Sequence, residues 1–322
     1  MLTVIMATRN RASVLNRVLE CFTCLQTPSG GWKLVLVDNG STDSTPFLLR
    51  AYSHRLPMHM LQQQRPGMNA ALNAAVEEIE GDLVVKADDD VMPCAAWLTR
   101  YREAADSHPE RTLFGGAVEP EWPGPLPSWL TEKAANFGIL YAQSRWPEGP
   151  CPLSRIYGPN WAVRSHVFAQ GTRFDEQIGP DATRLLYPMG GETDFFFRLS
   201  MQGHLGYFVS GAAVRHIIRP EQLTERWILD RAYRNGLGVG LTNPPECAVS
   251  FRFGGISLSL LLRLIAYRSL GIVVYPLPRS AVRLRLLFQA SWFRGLSHSV
   301  TQAASAIRPV LTDTIQAKAP LA

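Results

Sequence analysis

The first part of the chain alternates between short apolar runs and helical segments, and this alternation constrains the fold more than any other feature. The predicted strands are LTVIMAT (2–8), KLVLVD (33–38), MHMLQ (58–62) and DLVVKAD (82–88). The segments between them are predicted helices, and ASVLNRVLECFTCL (12–25) shows the apolar residues at helical spacing. Strands that alternate with helices in this way indicate a doubly wound α/β domain with a parallel sheet.

Polar residues follow each predicted strand at the point where it ends. These are Thr8 to Arg11, Asp38 and Asn39, Gln64 and Arg65, and Asp88 to Asp90. Because ligands of such sheets bind at the carboxyl ends of the strands, we expect one site there. The three adjacent carboxylates repel one another, so a metal ion, a basic side chain or the water around a surface turn must compensate their charge.

The sequence lacks the glycine patterns of two common nucleotide sites. No G-x-G-x-x-G follows the first strand, and no G-x-x-x-x-G-K-[ST] occurs anywhere. A dinucleotide-binding fold and a P-loop are therefore disfavoured. Carboxylates and arginines instead suit Mg²⁺ or Mn²⁺, which prefer oxygen ligands and bind diphosphates.

Five motifs occur in a recognisable order. They are VDNGSTDST (37–45), QRPGMNAALNAAV (64–76), ADDD (87–90), YGPNWAVRSHVF (157–168) and GGETDFFFRLSMQGH (190–204). Together they resemble family 2 glycosyltransferases with the GT-A fold, over about residues 1–240. The resemblance implies a GT-A-like, mostly parallel sheet with helices on both faces, with a nucleotide-sugar half (1–118) and an acceptor and catalytic half (119–240). Residues 241–322 lie beyond the resemblance and are predicted from their own sequence to be a basic, apolar helical C-terminal extension.

The resemblance assigns the acidic cluster to the donor, a nucleoside diphosphate sugar. It places Asp88 on the ribose and Asp90 on a divalent cation that bridges the two phosphates, with Asp89 as supporting charge. The cation would neutralise the charge that develops on the leaving nucleoside diphosphate. His216 is expected as a further metal or phosphate ligand, although a lone histidine is as readily structural.

The nucleobase pocket is expected at the ends of the earlier strands. By resemblance Asp38 hydrogen-bonds the base, expected to be uracil, and Thr8 and Arg11 line the same pocket. Arg65 is expected to reach the base or a phosphate. A turn-forming role is the alternative for Asp38, since DNGSTDST is rich in turn residues.

The catalytic base is expected at the start of the segment GGETDFFFR. An inverting transfer needs a carboxylate that takes the proton of the acceptor hydroxyl. Counting back from Arg198, Glu192 stands where the family's base is found, and Gly191 replaces the acid that usually precedes it. Glu192 is therefore the predicted base and Asp194 the second candidate.

The segment 119–160 is rich in proline, glycine and tryptophan and is predicted to be an irregular insertion beside the site. Aromatic faces pack well on sugar rings. Trp122, Trp129 and Trp161 are therefore acceptor-site candidates, together with Trp146, and burial in the core is the alternative for each.

The C-terminal part of the chain carries the positive charge. From Cys247 onward there are eight Arg and one Lys against one Asp, although the whole chain has a net charge of only +5. The remaining body is thus slightly acidic, which argues against a nucleic-acid partner. Arginines among the aliphatic residues of 254–296 favour peripheral contact with anionic lipid over a helical cap or an oligomer contact.

The residues MLTVIMATRNR have neither the basic region nor the small-residue cleavage site expected of a signal peptide, and the five cysteines are odd in number and irregularly spaced. We therefore expect a cytoplasmic protein at the inner face of the cell membrane, acting on a polysaccharide or glycolipid acceptor. Two other functions fit the sequence less well. A sugar nucleotidyltransferase would need a glycine-rich triphosphate loop, and a non-catalytic sugar-nucleotide or glycan-binding protein would not need the carboxylates.

Overall fold

The computed structural model describes residues 1–184, 186–242, 252–253 and 256–316. The chain divides into two compact units. The first comprises Met1–Pro125, Phe137–Leu185 and Gly191–Pro220, and the second comprises Leu126–Asn136, Leu186–Gly190 and Glu221–Ala322. Among the helices that the structure describes, none combines the length and hydropathy that a membrane-spanning segment requires.

A nine-stranded mixed sheet forms the centre of the first unit. Its strands are β1 Leu2–Thr8, β2 Trp32–Asp38, β3 Met58–Gln62, β4 Leu83–Ala87, β5 Val91–Pro93, β6 Leu113–Glu121, β7 Gly149–Cys151, β8 Asn160–Arg164 and β9 Gly206–Ile217. The order is β3-β2-β1-β4-β8-β6-β9-β5, and β7 pairs with β9. The first four strands are mutually parallel, β8 runs antiparallel between β4 and β6, and β6 is parallel to β9. The predicted mostly parallel α/β sheet is confirmed.

Seven helices belong to this unit within the described residues. They are α1 Ala12–Thr23, α2 Thr45–Tyr52, α3 Met68–Val76, α4 Trp97–Ser107, α5 Phe137–Tyr141, α6 His166–Ala169 and α7 Gly191–Met201. The four strands and three helices predicted for the first part of the chain are all present, with shorter helix ends. The thiols of Cys21 and Cys24, at the end of α1, are free.

Two apolar cores lie in the first unit because successive side chains of a strand point to opposite faces of the sheet. Val85 of β4 lies in one core and Val84 lies in the other, which also contains Trp161 and Phe195. Strands that are buried on both faces are continuous apolar runs in the sequence. In β4, Val84 and Val85 form such a run, and Lys86 follows them. The predicted boundary at 118/119 falls inside β6, so both halves share one sheet, and the functional division stays a prediction.

The second unit is mainly helical. It contains α8 Glu225–Thr242, α9 Leu258–Val274, α10 Ala281–Gln316 and the short hairpin β10 Arg252–Phe253 with β11 Ile256–Ser257. Arg283 of α10 is buried and paired with Glu225 of α8. Its guanidinium also donates to the carbonyl oxygens of Val274 (3.1 Å) and Tyr275 (2.8 Å), and these bonds fix the turn between α9 and α10. The predicted helical extension is thus present where the chain is described.

Candidate active site

The polar residues predicted to meet at the carboxyl ends of the strands do so. In the register of the parallel strands Thr8 lies beside Asp38, and Asp38 lies beside Gln62. The loop after β1 is tied to the loop after β2, because Asn10 accepts a hydrogen bond on Oδ1 from the amide of Thr42 (2.7 Å). Asn10 has a left-handed backbone conformation (φ 51°), which asparagine tolerates better than most residues. This strand-end arrangement is the frame of the candidate site.

Asp88 is paired with a buried lysine, Lys86, which was not among the residues predicted for the site. The ammonium of Lys86 bonds Asp88, Oε1 of Glu192 at 2.8 Å and the carbonyl oxygen of Gly158 at 2.9 Å. Burial alone would lower the pKa of Lys86, but the two carboxylates beside it raise it. Burial raises the pKa of Asp88, and Lys86 opposes that rise. The only signal for this contact in the sequence was a lysine inside an otherwise apolar strand.

Asp89 is held by two residues that had been predicted to line the nucleobase pocket. Thr8 donates its hydroxyl to Oδ2 of Asp89 at 2.7 Å, and Nε of Arg11 lies 3.9 Å from Oδ1. Burial and the neighbouring Asp90 nevertheless raise the pKa of Asp89 to about 7. Thr8 and Arg11 therefore lie at the acidic cluster, within the predicted site.

Asp90 lies beside the predicted histidine, because Val91 of β5 pairs with His216 of β9. Nε2 of His216 is 3.6 Å from Oδ1 of Asp90, and Nη1 of Arg219 is 3.7 Å from Oδ2. Burial favours a lower pKa for His216 and a higher pKa for Asp90. The attraction between the two groups outweighs burial, so the pKa of His216 is raised and that of Asp90 is lowered. Each acid of the cluster thus has a cationic neighbour, which offsets part of the repulsion expected from the sequence, although the raised pKa of Asp89 shows that repulsion and burial still act there.

The Asp90–His216 pair fits a divalent cation as part of a ligand set. Nδ1 of His216 lies 2.7 Å from the carbonyl oxygen of Tyr141. Since a carbonyl only accepts, Nδ1 carries a proton, and the other ring nitrogen faces Asp90. This orientation by a backbone carbonyl is typical of metal-binding histidines. No group of three or more His, Cys, Asp or Glu side chains placed to hold a metal was found in the described part of the chain. Further ligands would have to come from the substrate or water.

The two candidate bases lie in the first turn of α7 and have different partners. Glu192 faces Lys86 and is thereby brought beside Asp88. Asp194 accepts a hydrogen bond from Nε of Arg198, one turn along the same helix, at 2.9 Å. Of the two acids, Glu192 is therefore the one tied to the acidic cluster.

The glycine that replaces the usual acid at position 191 has a steric explanation. A Cβ atom added to Gly191 would lie 2.6 Å from Nδ2 of Asn69, which is too close. That amide nitrogen is fixed by hydrogen bonds to the carbonyl oxygens of Asp175 (2.7 Å) and Ile178 (2.8 Å). Asn69 thus connects α3 to the loop before α7 and excludes a side chain at 191.

Asp38 and Arg65 have partners within the protein. Oδ1 of Asp38 accepts the amide of Ser41 at 3.0 Å, which is the turn-forming role considered from the sequence. The guanidinium of Arg65 pairs with Glu176 at 3.0 Å and is largely exposed. Asp38 is buried at the strand end, next to Asn39, whose amide nitrogen bonds the carbonyl oxygens of Gln63 and Arg65. Nucleotide binding by Asp38 and Arg65 stays a prediction.

The predicted tryptophans differ in their surroundings. Trp161 has no exposed surface and packs on Phe195 and Phe196 at ring distances of 5.7 and 5.3 Å, so the expectation that it binds acceptor is wrong. Trp122 is half-buried and packs edge-on against Tyr141, whose carbonyl orients His216. Trp129 is half-buried in the second unit, and its role stays a prediction.

Comparison with known proteins identifies the family. Residues 3–171 match the family model described as Glycosyl transferase family 2. The chain belongs to glycosyl transferase family 2. This family 2 glycosyltransferase is 29% identical over 244 residues to Glycosyltransferase AglE of Haloferax volcanii, a match that covers 71% of this chain and 75% of that protein.

Solved glycosyltransferases have the same fold. Mannosyltransferase PcManGT from Pyrobaculum calidifontis, in complex with GDP-Man and Mn²⁺, gives a TM-score of 0.55 at 16% identity and covers 98% of this chain and 79% of that chain. Residues 1–349 of S. aureus TarS, in complex with UDP, give 0.53 at 15% identity, with 95% and 91% covered. The predicted family, GT-A fold and enzyme class are confirmed.

Proposed function

We propose that this glycosyltransferase moves a sugar, with inversion at the anomeric carbon, from a UDP-linked donor to a polysaccharide or glycolipid acceptor, assisted by Mn²⁺ or Mg²⁺. The observation that carries this proposal is the single cluster formed by the three acids after β4, Lys86, Glu192 and His216. The residues proposed for the donor, the metal and the base lie at one end of one sheet, where open α/β sheets bind ligands.

The donor would be held by residues at the strand ends. Asp38 and Arg65 are proposed for the nucleotide, with Thr8 and Arg11 beside Asp89 at the same edge. Asp88 is proposed to contact the ribose. Its link to Lys86 fixes the carboxylate before the donor arrives, which reduces the ordering cost of binding.

Asp90 and His216 would hold the cation, whose charge would stabilise the diphosphate as it leaves. The carbonyl of Tyr141 keeps the histidine ring oriented, so Nε2 stays directed toward Asp90. Arg219 lies on the other oxygen of Asp90 and supplies a fixed positive charge near the proposed diphosphate.

Glu192 is proposed as the general base. Its carboxylate would take the proton of the acceptor hydroxyl while that oxygen bonds the anomeric carbon and the carbon–diphosphate oxygen bond breaks. Attack from the face opposite the leaving group inverts the anomeric carbon. Trp122 remains the acceptor-side candidate in the first unit, since it is half-buried and part of an aromatic group with Phe137 and Tyr141.

Cation-dependent nucleotide binding tests the metal and donor sites. We expect UDP with Mn²⁺ to raise the unfolding temperature of the wild type more than UDP alone does, because ligands that bind the native state stabilise it. Asp90→Ala should abolish the Mn²⁺-dependent part. Asp106→Ala is the matched control, because this acid pairs with Arg102 on α4, away from the cluster. An undiminished Mn²⁺ effect in Asp90→Ala would refute the assignment.

Peripheral membrane contact is proposed for the turn between α9 and α10. Ile272, Val273 and Tyr275 are 70%, 67% and 64% exposed there, and Leu277 and Val282 are more than half exposed. Such a concentration of exposed apolar side chains is typical of an interaction surface. Arg268, Arg279 and Arg285 are exposed in the same region, and 254–296 contains no acid. An apolar surface bordered by arginines fits an anionic lipid interface.

Vesicle sedimentation tests this contact. The wild type should bind phosphatidylglycerol–phosphatidylcholine vesicles better than phosphatidylcholine vesicles, and salt should weaken the difference. The double variant Ile272→Ser, Val273→Ser should lose binding. Phe47→Ser is the control, because Phe47 is equally exposed (71%) on α2 of the first unit. Equal binding by both variants, or no binding by the wild type at low salt, would refute the proposal.

A further inference from the structure

Lys86 occupies a position where an apolar side chain would be expected. It lies on β4, and its Cα pairs with those of Ile5 and Trp161, both of which belong to the same apolar core. The side chain is only 1% exposed. Burying an ammonium group is unfavourable unless the group is paired and hydrogen-bonded, so the surroundings of Lys86 must compensate its charge.

The Lys86 ammonium has as many hydrogen-bond acceptors as it has N–H donors. A lysine ammonium has three N–H donors and no acceptor. Asp88, Glu192 and the carbonyl of Gly158 supply three acceptors from three separate segments of the chain. The ammonium is therefore both charged and fully bonded, which makes it a rigid junction between the end of β4, the start of α7 and the segment before β8.

The junction fixes the distance between the two carboxylates. Both are bonded to one nitrogen, so their bonded oxygens lie within about 6 Å of each other, twice the length of an ordinary hydrogen bond. The backbone of Gly158 lies close to Glu192 as well, because a Cβ atom added there would lie 3.0–3.2 Å from the atoms of the Glu192 carboxyl group. Glu192 is thus bonded to the lysine and lies against the backbone of Gly158.

We propose that Lys86 is a positioning residue that holds the catalytic carboxylate of Glu192 at a fixed distance from the donor-binding carboxylate of Asp88. It touches neither substrate and acts through Glu192. This inference rests on the proposed function, in which Glu192 acts on the acceptor and Asp88 on the donor. A lysine with a purely structural role would support folding but would have no specific coupling to the base.

The test is a double-mutant cycle on turnover. The variants are Lys86→Met, Glu192→Gln and the two combined. The donors are UDP-glucose, UDP-GlcNAc and GDP-mannose with Mn²⁺. Water takes the place of the acceptor, so nucleotide release measures hydrolysis of each donor that the wild type consumes. If Lys86 acts through Glu192, Lys86→Met lowers kcat by about 10²-fold or more, as loss of a general base does. The combined variant should then be only slightly slower than Glu192→Gln. The KM for the donor should change less than kcat.

Two further variants separate positioning from folding. Lys86→Gln keeps N–H donors without the charge, and it should retain more activity than Lys86→Met if the latter unfolds. Lys33→Met is the matched control, because Lys33 also pairs with a glutamate, Glu80, but lies near the opposite end of β2 from the site. It should keep the wild-type kcat.

Three results would overturn the inference. They are a wild-type kcat in folded Lys86→Met, strictly multiplicative losses in the combined variant, and an equal loss in Lys33→Met. A wild type that consumes no donor in the presence of Mn²⁺ would instead contradict the proposed function, and the role of Lys86 would fall with it. If only the inference fails, the wild type is active and the kcat losses caused by the two substitutions are independent of each other.

Discussion

Exchanging Glu192 for Gln tests the assignment of the base most directly. The substitution removes the negative charge and the ability to take a proton but changes the size of the side chain little. In the folded protein the glutamine oxygen can still accept a hydrogen bond from Lys86, and Asp88 and the Gly158 carbonyl remain as partners. We therefore expect the protein to stay folded, with a loss of stability of about 1–2 kcal/mol for one weakened charged hydrogen bond.

The expected loss of activity is much larger than the loss of stability. Removing a general base costs about 10²–10⁴ in rate, which corresponds to about 2.7–5.5 kcal/mol in activation free energy. Asp194→Asn should cost less than about tenfold in rate. Its carboxylate pairs with Arg198 of the same helix, whereas Glu192 is bonded to Lys86 beside Asp88.

The assay is nucleotide release from the donor that the wild type consumes, combined with calorimetric titration of UDP in the presence of Mn²⁺. Glu192→Gln should bind UDP as the wild type does and lose turnover, since the base acts on the acceptor side. The reverse ranking of the two variants would move the base to Asp194. Wild-type turnover in both variants would refute a carboxylate base at this position.

Two further predictions concern the packing around the site. Trp161→Ala should destabilise the protein by about 3–5 kcal/mol in denaturant unfolding, because it empties a fully buried aromatic position. Trp122→Ala should cost less stability, and equal losses would contradict the different burial of the two rings. Gly191→Ala should cost about 1–3 kcal/mol because its new methyl group would meet Asn69. Gly124→Ala, with open space around it, should leave the unfolding midpoint unchanged, and an unaffected Gly191→Ala would refute the steric explanation.

The fold of the first part of the chain was predictable because its signals are local. Apolar runs and helical spacing alternate over short distances, and the polar residues mark the strand ends. The position of β8 was not predictable in this way. It lies between β4 and β6 and antiparallel to both, although it follows β6 in the chain, so its pairing depends on contacts that no local pattern encodes.

The site residues that belong to a motif were predictable from the sequence. Residues whose role depends on whether the side chain is buried were not. Trp161 is a case of the second kind, because a tryptophan in a Pro- and Gly-rich region reads equally well as a sugar platform or as core. Trp161 and Val163 lie two residues apart on β8 and so point to the same face of the sheet, where both belong to one core. This spacing was the sequence pattern that indicated burial of Trp161. Lys86 was missed because its partner Glu192 comes from a distant part of the sequence, and only the folded chain brings the two together.

The arrangement of charges also narrows the choice of base beyond what sequence counting allows. A side chain at 191 is excluded by Asn69, so the acids at the start of α7 are limited to Glu192 and Asp194. Asp194 is bonded to a residue of its own helix, whereas Glu192 is bonded to the lysine that also holds Asp88. A base has to act beside the donor, and of these two acids Glu192 is the one connected, through Lys86, to a proposed donor residue. With glycine at 191, Glu192 is therefore the carboxylate that we propose as the base.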